Sequence, residues 1–260
     1  MNGILEKITA KKRAELEASK REIPYEAVFL AAQNAPKRAS FFEALKMKNG
    51  RPAVIAELKK ASPSKGLIRE NFEPASLAKS LEGAGASALS VLTEKNFFLG
   101  SPEYLRTAVA NVKIPVLRKD FVFDKYQICE AKAWGASAVL LIKAMLSNGE
   151  LESLMEFANS LNLDALVETH DAGEIDAALG CGAKILGVNA RNLRTFEIDK
   201  SLFEKLVSKI PEGVKAVAES GIETPEALLN AAQAGADAAL IGTTFMSKQN
   251  PAAELERLLK

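Results

Sequence analysis

Acidic, basic and amide side chains follow short apolar segments at several places in this sequence of 260 residues. Six of them have the types that proton-transfer chemistry needs, namely Glu57, Lys59, Lys119, Glu168, Asn189 and Glu219. Ammonium groups donate protons and carboxylates accept them, so the set predicts general acid–base catalysis. Lysines that are partly desolvated or close to one another have lowered pKa values, which we expect for Lys59 and Lys119.

The single histidine and the two cysteines contribute less to this prediction. His170 follows Glu168 by two positions, and we expect a loop residue beside Glu168 rather than a general base. Cys129 and Cys181 form no CxxC pair, so we expect neither a zinc cluster nor a disulfide framework, and no metal site. This use of cysteine favours a reducing, cytoplasmic location.

A recurring phrase indicates how the six side chains are positioned. It consists of Gly-Ala and a polar residue, and it begins at Gly85, Gly135, Gly182 and Gly235. Apolar runs follow it at residues 89–92, 139–142, 185–188 and 239–241, and similar runs lie midway at 52–58, 115–118, 164–168 and 215–219. Short runs without polar alternation are typical of parallel strands buried on both faces. Eight strands separated by helical patterns predict an α/β fold, a single (β/α)8 TIM barrel, with the six side chains at its C-terminal strand ends.

About fifty residues precede the first strand. Apolar residues have helical spacing between Ile4 and Leu16, which predicts an N-terminal helical extension. We expect the extension, residues 1–50, to pack on the barrel, residues 51–260, as one structural domain. Phe41 and Phe42 indicate that it covers one mouth of the barrel. We expect a solvated helix face at the basic cluster of Lys7, Lys11, Lys12 and Arg13.

Glycine stands beside a hydroxyl residue after the last two predicted strands, as Ser220-Gly221 and Gly242-Thr243. Backbone N–H groups in these turns, next to the start of a helix, form the phosphate site typical of this fold. The alternative is that the glycines only permit tight turns. We favour the phosphate site because both pairs follow these two strands in particular.

Composition excludes several other classes of protein. The chain has 34 Lys and Arg against 33 Asp and Glu, so its net charge of +1 predicts no binding to nucleic acid or to an anionic membrane. No apolar run approaches the roughly 20 residues that a membrane span needs. We therefore expect a small phosphorylated molecule as the binding partner, and a monomer or a weak homo-oligomer.

Several longer motifs carry a resemblance to a known family. The segment from Ala56 to Gly66, AELKKASPSKG, is the most specific of them. Others are LTE at 92–94 with FFLGS at 97–101, LRKDF at 117–121, LVETH at 166–170, GVNARNL at 187–193 and AESGI at 218–222. With these motifs, nearly the whole chain resembles indole-3-glycerol-phosphate synthase, a family of tryptophan biosynthesis.

The resemblance implies a lyase, more narrowly a carboxy-lyase, that needs no metal and no cofactor. Its reaction would convert 1-(2-carboxyphenylamino)-1-deoxyribulose 5-phosphate to indole-3-glycerol phosphate, carbon dioxide and water. Lys119 falls on the family's general acid and Glu168 on its general base, with Glu57, Lys59, Asn189 and Glu219 as supporting residues. Whether Lys59, Glu57 or Glu168 acts in the dehydration stays open.

The resemblance also implies two binding regions. The phosphate would contact Lys59, Ser62, Ser220, Gly221, Gly242 and Thr243, and the anthranilate ring would contact Phe98, Phe121, Leu140, Arg191 and Leu193. The sequence departs from many family members after Gly242, where they carry an acidic or serine pair and this chain has Thr243-Thr244. A threonine can still donate its N–H and its hydroxyl, so we expect phosphate binding to be kept.

Two rival functions are consistent with a barrel that binds phosphate. A phosphosugar isomerase or epimerase needs an acid and a base but neither an aromatic slot nor the segment from Lys59 to Ser64. A noncatalytic phosphate-binding barrel would use its inner lysines only to attract anions. Replacing Lys119 by alanine separates a binding protein from an enzyme, because only an enzyme has turnover to lose.

Overall fold

Eight parallel strands form a closed barrel in the computed structural model of the protein, which describes residues 3–192 and 195–260. The strands are β1 (Ala53–Leu58), β2 (Ala88–Leu92), β3 (Val116–Lys119), β4 (Ala138–Ile142), β5 (Asp164–Thr169), β6 (Ile185–Asn189), β7 (Lys215–Glu219) and β8 (Ala238–Ile241). Neighbours in sequence are neighbours in the barrel, and β8 pairs with β1 to close it. The predicted (β/α)8 fold is confirmed, and no predicted strand boundary is displaced by more than one residue.

Helices surround the barrel and fill the connections between its strands. The helices are α1 (Ile4–Glu22), α2 (Tyr25–Asn34), α3 (Phe41–Ala44), α4 (Pro74–Gly83), α5 (Pro102–Asn111), α6 (Lys125–Ala133), α7 (Asn148–Ser160), α8 (Ala172–Gly180), α9 (Leu202–Leu206), α10 (Pro225–Ala234), α11 (Thr243–Met246) and α12 (Pro251–Leu258). Short 3-10 turns span Lys143–Met145 and Val207–Lys209, and a small hairpin pairs Ala61–Ser62 with Gly66–Leu67. No helix in the described part of the chain is both long and apolar enough to cross a membrane.

The recurring Gly-Ala phrase ends a helix before each of four strands. Gly235, for example, caps α10 in the left-handed conformation, with φ 115°, and β8 begins three residues later. Glycine adopts this conformation without the steric cost of a Cβ atom. The phrase is therefore a local signal for a helix end followed by a strand.

Alternate residues of the strands pack in two separate layers. The interior of the barrel contains positions such as Ile55, Leu117, Leu166 and Val217, whereas the residues between them face the surrounding helices. Because successive side chains point to opposite faces, the next inward position on each strand lies at its C-terminal end. Those positions include Glu57, Lys119, Glu168 and Glu219.

The N-terminal helices contact both ends of the barrel. Phe41 and Leu45 are fully buried with the interior residues, so the segment of α3 fills the N-terminal mouth. Ile4, Leu5 and Ile8 of α1 instead line the cavity at the C-terminal end.

One residue of the basic cluster on α1 departs from the expectation of a solvated face. Lys12 is only 8% exposed, and its Nζ donates to Asp120 Oδ2 at 2.8 Å. The same oxygen accepts hydrogen bonds from Thr93 Oγ1 at 2.5 Å and Arg118 Nη2 at 3.0 Å. Burial opposes the charge on Asp120, but Lys12 and Arg118 outweigh it and lower the pKa of that carboxyl to about 2. Lys12 therefore fastens α1 to the strand end that also carries Lys119.

Candidate active site

A cavity of about 560 Å³ opens at the C-terminal ends of the barrel strands. All six residues predicted for acid–base chemistry line it: Glu57, Lys59, Lys119, Glu168, Asn189 and Glu219. The remaining predicted binding residues line it as well: Ser62, Phe98, Phe121, Leu140, Arg191, Ser220, Gly221, Gly242 and Thr243. Leu193, which we predicted near the ring, lies outside the described residues.

Lys119 at the end of β3 forms the central ion pair of the cavity. Its Nζ lies 3.2 Å from Oε2 of Glu168, whose side chain is 2% exposed. Burial opposes the ammonium charge, but the carboxyl groups of Glu168, Glu219 and Glu57 outweigh it, so the pKa of Lys119 is raised. The expectation of a lowered pKa is therefore wrong for Lys119, because carboxylates from other strands surround it. The group is an ammonium ion before any substrate binds.

Glu168 carries the opposite charge of this pair. Burial would raise its pKa, but Lys119 and then His170 outweigh burial, and the pKa of Glu168 lies below its ordinary value. Asn189 adds a hydrogen bond to the same carboxylate. The carboxylate is therefore available as a proton acceptor.

The amide of Asn189 is held in one orientation. Its Oδ1 accepts hydrogen bonds from Ser220 Oγ at 2.8 Å and from the backbone N–H of Arg191 at 3.0 Å. With the oxygen occupied, the NH₂ group is the part that faces Glu168. Asn189 thus connects the base of the cavity to the turn after β7.

Glu219 and Glu57 complete the floor of the cavity, and their pKa values are shifted in opposite directions. Burial first, and then the charge of Glu168, raise the pKa of Glu219 well above its ordinary value, so this carboxyl keeps its proton to higher pH than an ordinary glutamate does. Burial would also raise the pKa of Glu57, but Lys59 and Lys119 outweigh it and the pKa is lowered. Glu57 Oε1 accepts from Lys59 Nζ at 2.6 Å.

Two glycines leave room for these buried carboxyl groups. A Cβ atom on Gly187 of β6 would overlap Oε1 of Glu219, and one on Gly242 would overlap Oε1 of Glu57. The backbone at Gly187 and Gly242 can therefore lie close to these two carboxyl groups, whereas any residue with a side chain at either position would displace the carboxyl group. These contacts explain why glycine stands at position 187 in the GVNARNL motif and at position 242 after β8.

The turns after β7 and β8 form the end of the cavity where we predicted phosphate. Ser220 and Gly221 both have positive φ, 67° and 82°. Thr243 and Thr244 begin α11, so their N–H groups have no partner within the helix. The Thr244 hydroxyl donates to the Ile222 carbonyl at 3.0 Å and joins the two turns. In the unusual Thr243-Thr244 pair, the hydroxyl of the second residue is thus used in a hydrogen bond within the protein.

An aromatic wall faces this end across the cavity. The rings of Phe98 and Phe121 have centroids 6.1 Å apart and are tilted by 41°. Glu94, which is 1% exposed, accepts from the backbone N–H groups of Asn96, Phe97 and Phe98 at 2.9, 2.7 and 3.0 Å. Its carboxylate therefore fixes the loop that presents Phe98, a role that the LTE motif alone did not reveal.

Other residues of the cavity were missed at the sequence level. Apolar side chains at its rim come from α1 and from the connection after β6: Ile4, Leu5, Ile8, Phe196 and Ile198. The helical spacing of the first three indicated a buried face, but nothing in the sequence said which part of the barrel that face contacts. Over the described ranges, His, Cys, Asp and Glu side chains form no group that could hold a metal ion.

Comparison with known proteins agrees with this geometry. The sequence profile of the family described as indole-3-glycerol phosphate synthase matches residues 5–258. An indole-3-glycerol phosphate synthase of Campylobacter jejuni subsp. doylei is 47% identical over 257 residues, 98% of this chain and 100% of that protein. One from Dechloromonas aromatica is 46% identical over 260 residues and 99% of each chain.

Solved structures with much lower identity share the fold. Thiamine phosphate pyrophosphorylase from Pyrococcus furiosus has a TM-score of 0.61 at 17% identity, covering 85% of this chain and 96% of that one. Orotidine 5'-phosphate decarboxylase from Pyrococcus horikoshii has a TM-score of 0.59 at 13% identity, covering 79% and 96%. These structures support the barrel alone. The match of the family profile and the identity to its curated members show that the chain belongs to the indole-3-glycerol phosphate synthase family.

Proposed function

We propose that the protein closes the indole ring of 1-(2-carboxyphenylamino)-1-deoxyribulose 5-phosphate and releases indole-3-glycerol phosphate, carbon dioxide and water. The observation that carries this proposal is an ammonium group, Lys119, held among buried glutamates on the floor of a cavity with one aromatic wall. A reaction that passes from a carbonyl through a cation needs a proton donor with anions beside it.

The first step in this proposal is attack of the aromatic ring on the carbonyl carbon C2′. Lys119 donates its proton to the carbonyl oxygen as the new carbon–carbon bond forms. Its raised pKa keeps the proton in place until the substrate arrives. The positive charge that develops on the ring nitrogen is stabilised by the ionised Glu57 and Glu168.

Two further steps restore aromaticity. The carboxylate leaves as carbon dioxide, and its bonding electrons return to the benzene ring. The hydroxyl at C2′ then leaves as water, and a base removes the proton from C1′ to form the double bond of the indole. We assign this base to Glu168, and the acid to Lys119 or to Lys59, which is held by Glu57.

The two ends of the cavity would hold the two ends of the substrate. We propose that Lys59, Ser62, Ser220, Gly221, Gly242 and Thr243 bind the phosphate, and that Phe98, Phe121, Leu140 and Arg191 surround the ring. Anchoring both ends brings the ring carbon towards C2′ before the reaction, which lowers the entropic cost of closure.

The test is an assay of the purified protein with this substrate, with chelator and without added metal, followed by indole fluorescence. Lys119→Ala should lower turnover by on the order of 10²-fold or more, the contribution of a general acid. Lys209→Ala, which removes an exposed lysine paired with Asp176, serves as the matched control and should keep wild-type turnover. A folded wild-type protein that gives no product would reject the proposal.

Three further expectations from the sequence also stay proposals. We propose that residues 1–50 and 51–260 unfold together as one domain, because Phe41 and Lys12 are buried against the barrel. A monomer or weak homo-oligomer is testable by light scattering, and a cytoplasmic location by cell fractionation.

A further inference from the structure

His170 lies between the buried floor of the active site and a second cavity. Its Nε2 is 3.5 Å from Oε1 of Glu168, and its Nδ1 is 3.3 Å from Oε2 of Glu174 on α8. The two oxygens of Glu168 therefore face different groups, because Oε2 faces Lys119. Nε2 is buried and has no hydrogen-bond partner within the described residues.

The second cavity has a volume of about 540 Å³ and lies beside the first. His170 and Glu174 line the second cavity, whereas Asn189 and Arg191 line both and form the wall between them. Its acidic lining includes Glu6, Asp171, Glu197 and Asp199. The side chains of His170 and Glu174 retain 16% and 20% of their surface, so this pair connects the buried Glu168 to the water of the second cavity.

The proposed reaction requires a proton from solvent in every turnover. The carbonyl oxygen takes up two protons to leave as water, while C1′ gives up only one to the base, and the ring nitrogen keeps its own. The substrate carboxylate leaves as neutral carbon dioxide and supplies none. One proton must therefore reach the acids of the active site from outside in each turnover. A route from the side of the cavity can deliver it to Glu168 and Lys119 even while the substrate fills the space above them.

We propose that His170 is a relay residue, which passes protons from Glu174 in the second cavity to Glu168 in the active site. In the relay, Nδ1 receives a proton from the side of Glu174 while Nε2 gives its proton to Oε1 of Glu168. Glu168 then returns a proton from Oε2 to Lys119, so no charge accumulates. This inference rests on the proposed synthase reaction.

The surroundings of His170 suit a group that holds and releases a proton. Burial and the positive charge of Lys119 lower the pKa of His170. The carboxylates of Glu174 and Glu168 outweigh both effects, so the pKa of His170 is raised. The distances of 3.5 and 3.3 Å are long for proton transfer, and such contacts shorten when substrate is bound.

The chain offers a clean physical readout because His170 is its only histidine. Its imidazole signals in a nuclear magnetic resonance titration need no assignment. Glu174→Gln should lower the pKa of His170, whereas Asp176→Asn should leave it unchanged. Asp176 is on the same helix, and its carboxylate pairs with Lys209 on the outer surface. This readout needs no enzymatic activity.

The kinetic test uses His170→Gln and Glu174→Gln, with Asp176→Asn as control. Both relay variants should lower kcat by on the order of 10-fold, with KM nearly unchanged, because proton delivery becomes slow. The solvent deuterium isotope effect on kcat should rise, and added imidazole should restore turnover to His170→Ala.

Several outcomes would overturn the relay. Wild-type kcat in both variants would do so, and so would a loss of kcat with an unchanged isotope effect and no rescue by imidazole. Glu174→Gln preserves an acceptor for the backbone N–H of His170, so it remains informative where a histidine variant fails to fold. Absence of turnover in the wild type would reject the synthase proposal as well, whereas the other outcomes reject the relay alone.

Discussion

Glu219 occupies the space that a side chain on Gly187 would fill. The two residues lie on neighbouring strands, β7 and β6, and the carboxyl oxygen Oε1 of Glu219 overlaps the position of a Cβ atom at 187. This close approach is possible only because residue 187 has no side chain, and it connects an apolar strand motif directly to the chemistry of the cavity floor.

Replacing Gly187 by alanine should damage both stability and catalysis. The added methyl group forces Glu219 away from Glu168, and overpacking of this kind costs about 1 to 3 kcal/mol of unfolding free energy. We also expect kcat/KM to fall by on the order of 10-fold, the size of a misplaced proton-transfer group. Steady-state kinetics and urea unfolding measure the two effects. Gly180→Ala is the control, since a Cβ there has no neighbour within 4 Å, and equal losses in both variants would contradict the steric explanation.

Glu219→Gln should change how stability depends on pH. The folded pKa of Glu219 lies well above the ordinary value of 4.5, so the wild type must take up a proton at this site to fold above that pH. Its stability is therefore lost as pH rises, by up to about 1.4 kcal/mol per pH unit, and the neutral glutamine avoids this loss. Urea unfolding at a series of pH values above 4.5 should show an advantage of the variant that grows with pH until the folded pKa of Glu219 is passed. An advantage that stays constant with pH would contradict the raised pKa of Glu219, and Glu152→Gln at an exposed position is the control variant.

Lys12→Met tests whether α1 is held by a buried charge. Removing one partner of a buried ion pair leaves the other uncompensated, and because Asp120 keeps Arg118 and Thr93 we expect a loss of about 3 kcal/mol. Lys20 pairs with Asp124 at the same distance of 2.8 Å from the same helix, but both side chains are about one third exposed. Lys20→Met should therefore cost at most about 1 kcal/mol. Urea unfolding measures the loss of unfolding free energy in each variant. Equal losses would show that the buried pair of Lys12 and Asp120 holds α1 no more strongly than the exposed pair does.

Glu94→Gln should weaken binding of the substrate's ring. The carboxylate accepts three backbone N–H groups of the loop before Phe98, whereas an amide presents donors to some of them. We expect KM to rise by on the order of 10-fold with a smaller change in kcat, because the loss of one or more hydrogen bonds to a charged group costs about 1.5 to 3 kcal/mol. Glu103→Gln on the exposed face of α5 is the control. An unchanged KM would mean that the loop does not shape the ring site.

The sequence predicted the barrel strands well because their signals are local. A Gly-Ala phrase ends the helix before β2, β4, β6 and β8. Apolar runs midway between these predicted the other four strands, and β7 was predicted at its observed bounds, Lys215–Glu219. The inward direction of Glu57 and Lys119 follows from the two-residue period of a strand. These features need no knowledge of distant parts of the chain.

The errors and omissions concern side chains whose surroundings come from distant segments. Lys12 was expected in water because its partner Asp120 is far away in sequence. The predicted direction of the pKa shift of Lys119 was wrong. The prediction considered burial and the charge of other lysines, whereas in the structure Glu168 and Glu57 lie beside Lys119 and raise its pKa. The contact of α1 with the substrate cavity likewise depends on how the extension lies across the barrel, which a helical period cannot specify.

The barrel can close only late in translation, because its last strand, β8, is synthesised near the end. The N–H of Ala53 donates to the carbonyl of Asp237 at 2.9 Å, so β1 has no partner on that side until the strand Ala238–Ile241 has left the ribosome. Until then the nascent protein has two open strand edges, which is the state in which chains associate wrongly. The six residues proposed for acid–base chemistry are already synthesised by then, but Gly242 and Thr243 of the proposed phosphate site are not. The growing chain can thus acquire its cavity and its proposed anchor for the substrate only together, in one late event.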